Sequence, residues 1–372
     1  MNYEADNWRE RLQHLGADVS EPALFTDAAA DEIRIDSNIP DLIPVVRIAG
    51  EVIAVQGDIS FIAGKPKAGK TAVCTFIAAS ALLRDKSGID TLSIQTDYAY
   101  GKEVILVDTE QPKANTLKQV KNICKVLDVA DQPANLHVFN FREDNKAIKL
   151  LKVKQLFEIY PKAHLWIIDG LADLIDDVNS ATDSGRIVDM FMMYASKLQT
   201  TILLLVHENP GGEGKMRGHL GSEAERKGGG VIAVAKDKAK QLHTITSRIL
   251  RNGPDFETVY FRWSDKRHFF VTDADAAEQV VTEKHAKERQ LALECFPLGT
   301  DVLRHKEITA RIEQYAKVKT TRAASLLKAM TNAQMVVKDN VEGTYTLHES
   351  LTALAGPDAG IQTDLLLSNR AV

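Results

Sequence analysis

The sequence predicts an α/β protein: a mainly parallel sheet covered by helices on both faces, then a small C-terminal unit of three helices and a two-stranded wing. Three observations predict it. Gly64-Lys65-Pro66-Lys67-Ala68-Gly69-Lys70-Thr71 fits the phosphate-binding loop pattern at every fixed position, between an apolar strand (Ile59–Ala63) and an Ala-rich helix (Thr71–Leu83). Residues 45–275 alternate apolar strand runs with helical segments, which implies crossover units and a parallel sheet. Residues 291–348 read helix, helix, helix, strand, tight turn, strand, the winged-helix order.

The loop sets the chemistry. Its glycines permit tight curvature and close approach of backbone N–H groups to a polyphosphate, and the following helix turns its N-terminus toward the same anion. Residues 64–72, ending at Ala72, are the expected polyphosphate-binding segment, with Lys70 reaching the β- and γ-phosphates and the Thr71 hydroxyl ligating Mg²⁺. Lys65 and Lys67 acquire no role beyond a solvated surface.

Bulk properties bound the rest. A chain of 372 residues accommodates two domains, or one large domain and a small one. With 44% hydrophobic and 26% charged residues it has an ordinary soluble composition, and its net charge of −5 argues against a generally basic nucleic-acid binder. No apolar run approaches membrane-spanning length, and the acidic, polar N-terminus does not read as a signal peptide. Cys74, Cys124 and Cys295 lack paired spacing, so they read as reduced thiols of a cytoplasmic protein, not a zinc site or disulfide frame.

Along the chain, residues 1–44 form an acidic arm in which Trp8, Leu12 and Leu15 share a helical spacing; the arm docks either on its own domain or on a neighbouring subunit. The core spans 45–275. Strands are expected at 103–107, 136–141, 164–168 and 201–206, and helices at 113–127, 147–159 and 184–198. From Val231 four consecutive strands read as antiparallel additions to the sheet edge. A charged helical linker (276–290), the small unit (291–348) and a polar tail (349–372) complete the chain.

Four further positions lie where a nucleotide hydrolase needs them. Asp169 ends an apolar strand and can orient the Mg²⁺ shell, the alternative being a turn or helix-cap aspartate. Glu110, at the end of Val-Asp-Thr-Glu-Gln, can act as general base if its strand neighbours that of the loop; Asp108, on the same face, is the competitor. His207 ends the Leu-Leu-Leu-Val run and can sense the γ-phosphate, or is a satisfied sheet-edge histidine. Arg251 precedes a good turn, and can stabilise transition-state charge at a neighbouring subunit's site. Asn209–Gly230 reads as a long glycine-rich loop whose Lys215, Arg217, Arg226 and Lys227 suit a phosphate backbone, the alternative being a plain solvated loop. In the small unit, Lys319, Arg322 and Lys328 lie on a basic stretch that reads as a DNA-contacting helix, although many winged helices bind protein.

The order phosphate loop, Asp-Thr-Glu-Gln, Ile-Ile-Asp-Gly, Val-His-Glu-Asn, Arg-Gly-His-Leu-Gly, Arg-Asn-Gly-Pro resembles the RecA-like ATPases over residues 45–272. It is similar in particular to the hexameric helicase branch of DnaB and the RepA-like ATPases of bacterial mobile elements. The resemblance implies a RecA-like P-loop NTPase core that binds ATP and Mg²⁺, with Glu110 as base, Asp169 as second acidic motif, His207 as γ-phosphate sensor and Arg251 as a finger acting in trans. It places the segment Arg217–Ser222 at single-stranded DNA in the central channel of a homo-oligomeric, hexameric ring. The chain departs from the DnaB pattern at Ile249, where those proteins carry a lysine, and in lacking a primase-binding domain within its first 44 residues. The expected function is an ATP-hydrolysing helicase or translocase; the alternative is an ATP-dependent switch that assembles on DNA and recruits a partner without unwinding.

Overall fold

The computed structural model describes residues 32–209, 214–297 and 300–352. The arm helix expected around Trp8, Leu12 and Leu15, and the tail beyond residue 352, lie outside the described residues. The chain divides into two units, Met1–Ile43 and Pro44–Val372. The first contributes a turn in which the Arg34 N–H donates to Ser37 Oγ at 2.9 Å. Among the described residues, all strands and helices belong to the second.

That unit opens with a hairpin, β1 (Pro44–Ile48) and β2 (Glu51–Val55), and its main sheet begins with β3 (Ile59–Gly64). The phosphate-binding pattern follows and leads into α1 (Lys70–Leu82). Next come β4 (Ile94–Thr96), β5 (Val104–Asp108), α2 (Lys113–Leu127), β6 (Leu136–Asn140), α3 (Lys146–Ile159), β7 (Leu165–Asp169), α4 (Ala181–Leu198) and β8 (Thr201–His207). A helix α5 (Gly218–Lys227) precedes four strands, β9 (Gly230–Asp237), β10 (Leu242–Leu250), β11 (Val259–Ser264) and β12 (Phe269–Thr272).

The nine-stranded sheet runs β12-β11-β10-β9-β3-β8-β7-β5-β6. Pairing is parallel from β9 through β6 and antiparallel from β9 outward to β12. This is the expected parallel core with antiparallel additions. The two-residue alternation of each buried strand divides the core. Leu203 and Leu205 face one side with Phe76 and Ile77 of α1, whereas Ile202, Leu204 and Val206 face the other with Phe157 of α3 and Phe191 of α4. Full burial of such side chains contributes roughly 1.5–3 kcal/mol each. Helix α1 is buried nearly all round, which its small Ala and Cys positions allow. The starts of α3 and α4 are fixed by Asn145 and Ser180, whose side chains accept from the N–H groups of Ile148 and Asp183. A second sheet, β2-β1-β4, was not foreseen from the sequence; it packs at the N-terminal ends of β3 and β8, where Ser60 Oγ donates to the Ile53 carbonyl and Thr201 Oγ1 to that of Val55.

The C-terminal part contains α6 (Ala274–Cys295), β13 (Leu303–Arg304), α7 (His305–Ala316), α8 (Thr320–Asn332), β14 (Val336–Lys338), β15 (Thr344–Leu347) and the single turn α9 (Glu349–Thr352). Its three strands pair in the order β13-β15-β14 around a separate core that includes Phe296, Ile308, Ile312 and Leu327. Strand β13 was not anticipated.

One expectation is corrected outright. Asn209–Gly230 is not a continuous flexible loop, because α5 occupies 218–227. Leu220 and Ala224, one turn apart, are buried on its inner face. The glycines mark close packing: a Cβ at Gly221 would overlap Met216, one at Gly228 the Phe61 ring, and one at Gly230 the Ile53 carbonyl. Residues 210–213 of that stretch lie outside the described residues.

Candidate active site

The loop between β3 and α1 takes the shape its glycines require. Gly64 sits against β9 so closely that a Cβ would overlap the Val234 carbonyl, and Gly69 adopts φ +108. Lys70 is buried, and its Nζ donates to the carbonyls of Gly64 at 2.8 Å and Lys65 at 3.3 Å. Lys65 and Lys67 are exposed, as expected of solvated residues.

Four strand ends converge on this loop. Gly64 and His207 are register partners on β3 and β8. Lys70 Nζ lies 3.3 Å from His207 Nδ1, and His207 Nε2 lies 3.1 and 3.2 Å from the two carboxylate oxygens of Glu110. An ammonium on one side and a carboxylate on the other select the tautomer that carries its proton on Nε2. Thr71 Oγ1 donates to Asp169 Oδ2 at 3.5 Å. These groups line a cavity of about 870 Å³.

The sequence condition for Glu110 was that its strand neighbour that of the loop. It does not: β7 and β8 lie between β5 and β3. Glu110 reaches the site because the chain leaving β5 folds over the end of β7. Thr109 N–H and Oγ1 both donate to the Asp169 carbonyl, at 3.0 and 2.9 Å. Gly170, at φ +102, lets that crossing come close; a Cβ there would overlap Thr109 Oγ1 and stand 2.9 Å from Glu110 Cγ. Asp108, the competitor, is buried and occupied. Its carboxylate accepts from the N–H groups of Glu110 and Gln111 at 3.0 and 2.9 Å and from Thr116 Oγ1 at 2.6 Å. Asp108 therefore shapes the turn, and Glu110 is the carboxylate presented to the cavity.

The charges bias one another. The hydrogen bond from His207 holds the Glu110 carboxyl below its usual range despite burial, and the charges of Lys70 and Lys149 add to this. Burial pushes the Lys70 ammonium down, against the raising pull of Asp169 and Glu110. Burial, with the nearby negative charges of Glu110 and Asp108, raises Asp169 to about 7. A cation beside Asp169 relieves that crowding. Among the described residues no group of three or more His, Cys, Asp or Glu side chains is placed to hold a metal alone. The pair Thr71 and Asp169 instead fits Mg²⁺, which takes one or two protein oxygens and completes its shell with phosphate and water.

The cavity also has a wall that sequence reasoning missed. Phe261 and Trp263 share a face of β11; Phe261 is buried beneath the loop, whereas Trp263 is exposed at the cavity edge, 5.4 Å from the Phe270 ring. Trp263 Nε1 donates to Asp265 Oδ1 at 3.0 Å, and Arg262 lines the same wall. On β10, His243 is stacked on Phe261 at 5.0 Å and donates from Nδ1 to the Ala68 carbonyl at 2.7 Å, bracing the loop from behind. The alternation Phe-Arg-Trp-Ser was the available signal, but only the sheet order brings β11 to the loop.

The remaining expected residues are dispersed. Arg217 N–H donates to the His207 carbonyl at 2.9 Å, so His207 is joined directly to the basic segment. Lys215, Arg217 and Arg226 are exposed, but Arg226 pairs with Glu223 at 2.7 Å, and Lys227 is held between Asp189 and Glu223. Arg251 is exposed at the opposite end of the sheet: its N–H donates to the Gly229 carbonyl and its guanidinium to that of Arg226. Arg248 turns elsewhere and pairs with Glu208, the residue after His207. Lys319, Arg322 and Lys328 are exposed on or beside α8. Arg322 and Lys328 stand six residues apart, about 120° around the helix, so they do not point into one groove together.

No helix of the described residues is long and apolar enough to cross a membrane, and Cys74, Cys124 and Cys295 are free and buried. No curated protein matches the chain. Residues 29–213 match the family model of the AAA domain, a stretch that holds the phosphate loop, Glu110, Asp169 and His207. Over that stretch, with its central parallel sheet, the chain carries a P-loop ATPase domain of the AAA type.

Proposed function

We propose that the protein is an oligomeric, DNA-stimulated ATPase, a helicase or translocase of the RepA-like kind, that hydrolyses ATP at the interface between two copies of the chain. The observation that carries the hydrolytic part is the contact series Lys70–His207–Glu110 within one cavity. The triphosphate lies on residues 64–72, with Lys70 against its β- and γ-oxygens. Thr71 and Asp169 would hold Mg²⁺, which would supply charge neutralisation at the phosphate oxygens. Glu110 orients and deprotonates the attacking water, and His207 holds the carboxylate at Lys70. The base rests on the Trp263 wall. Arg251 completes the charge stabilisation in the next subunit, and the His207–Arg217 bond links the phosphate state to the basic segment, where single-stranded DNA binds.

The second reading, an assembling switch without unwinding, draws support from α5. The helix and its ion pairs leave fewer basic groups free than the sequence suggested. The C-terminal unit then selects duplex DNA or a protein partner.

The test is ATP turnover with and without single-stranded DNA, then strand separation on a forked duplex. Lys70→Ala and Arg251→Ala are each expected to abolish turnover, and a mixture of the two to regain part of it, because some interfaces pair an intact loop with an intact arginine. Turnover by Lys70→Ala at the parent rate refutes the nucleotide site. No recovery in the mixture refutes the shared one.

A further inference from the structure

Lys149 occupies a position that an apolar residue would fill more cheaply. It lies on the inward stripe of α3, four, seven and eight residues before the buried Val153, Leu156 and Phe157, and it is itself only 7% exposed. A buried ammonium is tolerated only where hydrogen bonds satisfy it. Its Nζ donates to Asp173 Oδ2 at 2.9 Å and to the Thr109 carbonyl at 2.8 Å. The second bond is the informative one. Thr109 immediately precedes Glu110, and on its other side Thr109 donates through its N–H and hydroxyl to the Asp169 carbonyl at the end of β7. The Glu110 N–H in turn donates to Asp108. The peptide that carries the carboxylate into the cavity is thus fixed between a strand end and the ammonium of a separate helix.

We infer that Lys149 is a positioning residue for Glu110: it clamps the Thr109 carbonyl so that the turn after β5 presents the carboxylate at His207 and the attacking water. The inference rests on Glu110 serving as the base. Asp173, in the single helical turn that follows Asp169, anchors the other end of the clamp, so one ammonium ties the turn of the base to the segment beyond the metal-side carboxylate.

The test is a double-mutant cycle on ATP turnover, with equilibrium binding of a fluorescent ADP beside it. Lys149→Met keeps the length of the side chain and removes the donor. Its kcat is expected to fall about 10–100-fold, the scale of an ångström-sized misplacement, while fluorescent-ADP affinity stays within about twofold, since Lys149 touches neither the phosphate loop nor the aromatic wall. Lys149→Gln, which keeps an N–H donor, is expected to fall between Met and the parent. Glu110→Gln/Lys149→Met is expected to turn over no more slowly than Glu110→Gln alone, because a clamp has nothing left to position. Parent-like kcat in Lys149→Met, or losses that multiply in the double variant, overturns the inference. If the Met variant does not fold, Lys149→Gln carries the same cycle. Glu110→Gln with parent turnover defeats the reading of the base itself, an outcome distinct from failure of the clamp alone.

Discussion

Gly170→Ala examines the site without touching a charged group. The residue sits at φ +102 and ψ 54, where an L side chain costs about 1–2 kcal/mol. The added methyl overlaps Thr109 Oγ1, which must move by on the order of 1 Å to restore contact distance. That movement breaks hydroxyl bonds to the carbonyls of Asp169 and Gly170, now 2.9 and 3.1 Å, each contributing about 0.5–1.5 kcal/mol. The expected loss of stability is about 2–5 kcal/mol, read as a lower urea midpoint at unchanged slope. The effect on catalysis is larger in relative terms. Displacing the turn by an ångström carries Glu110 with it, and kcat is expected to fall about 100-fold with nucleotide affinity nearly intact. Adding Thr109→Ala removes the overlapping oxygen, and the double variant is expected to turn over faster than Gly170→Ala alone. Turnover within about threefold of the parent in Gly170→Ala would show that the crossing over β7 does not set the position of the base.

Two further outcomes are expected. Trp263 is exposed at the cavity edge, so ATP should quench or shift its fluorescence whereas inorganic tripolyphosphate, which has no base, should not; an equal response to both removes the base from that wall. Burial lowers the pKa of His164, whose Nε2 bonds the Asp97 carbonyl, so the folded chain keeps it neutral while the unfolded chain takes up a proton below about pH 6.5. Its contribution is therefore present above the unfolded value and lost as pH falls toward the depressed folded one. The urea midpoint of the parent should drop more between pH 7.5 and 5.5 than that of His164→Gln, and identical drops refute the assignment.

What the sequence disclosed depends on the range of each interaction. The phosphate loop is local: Gly64, Gly69, Lys70 and Thr71 act within one turn of chain, so their spacing carries the geometry. The strands were legible for the same reason, since β3, β7 and β8 are continuous apolar runs of the kind a doubly covered sheet requires. Glu110, not Asp108, is the carboxylate that lines the cavity, but the strand adjacency expected to bring it there does not hold. Strand adjacency is a tertiary fact, and the carboxylate arrives through the Thr109–Asp169 crossing instead. Glycine misled in 209–230 because sequence shows the missing Cβ but not the neighbour that excludes it: Met216 at Gly221, Phe61 at Gly228 and the Ile53 carbonyl at Gly230. The helical spacing of Leu220 and Ala224 was the local trace of α5. Lys149, His243 and Trp263 left weaker traces, since each meets its partners only after distant elements assemble.

Sheet geometry decides how Arg251 can act. The loop end of the sheet is marked by Gly64 beside His207. The far end is marked by Ser60, which pairs with Gly230, which in turn pairs with Leu250. Ser60 and Gly64 are separated by roughly 13 Å of strand at about 3.3 Å per residue. Arg251 lies one residue past Leu250, beyond that far end, and its backbone is fixed there by Gly229. A guanidinium must approach a phosphoryl oxygen to within about 4 Å to share its charge appreciably. The distance along the sheet, with the side chain turned toward Arg226 and the Asp58 region, puts its own subunit's γ-phosphate out of reach. If Arg251 serves catalysis, it serves a second copy of the chain. Strand β10 would then join two sites, since His243 near its start braces the phosphate loop of one, Arg248 holds Glu208, the residue after His207, and Arg251 at its end would be offered to the other.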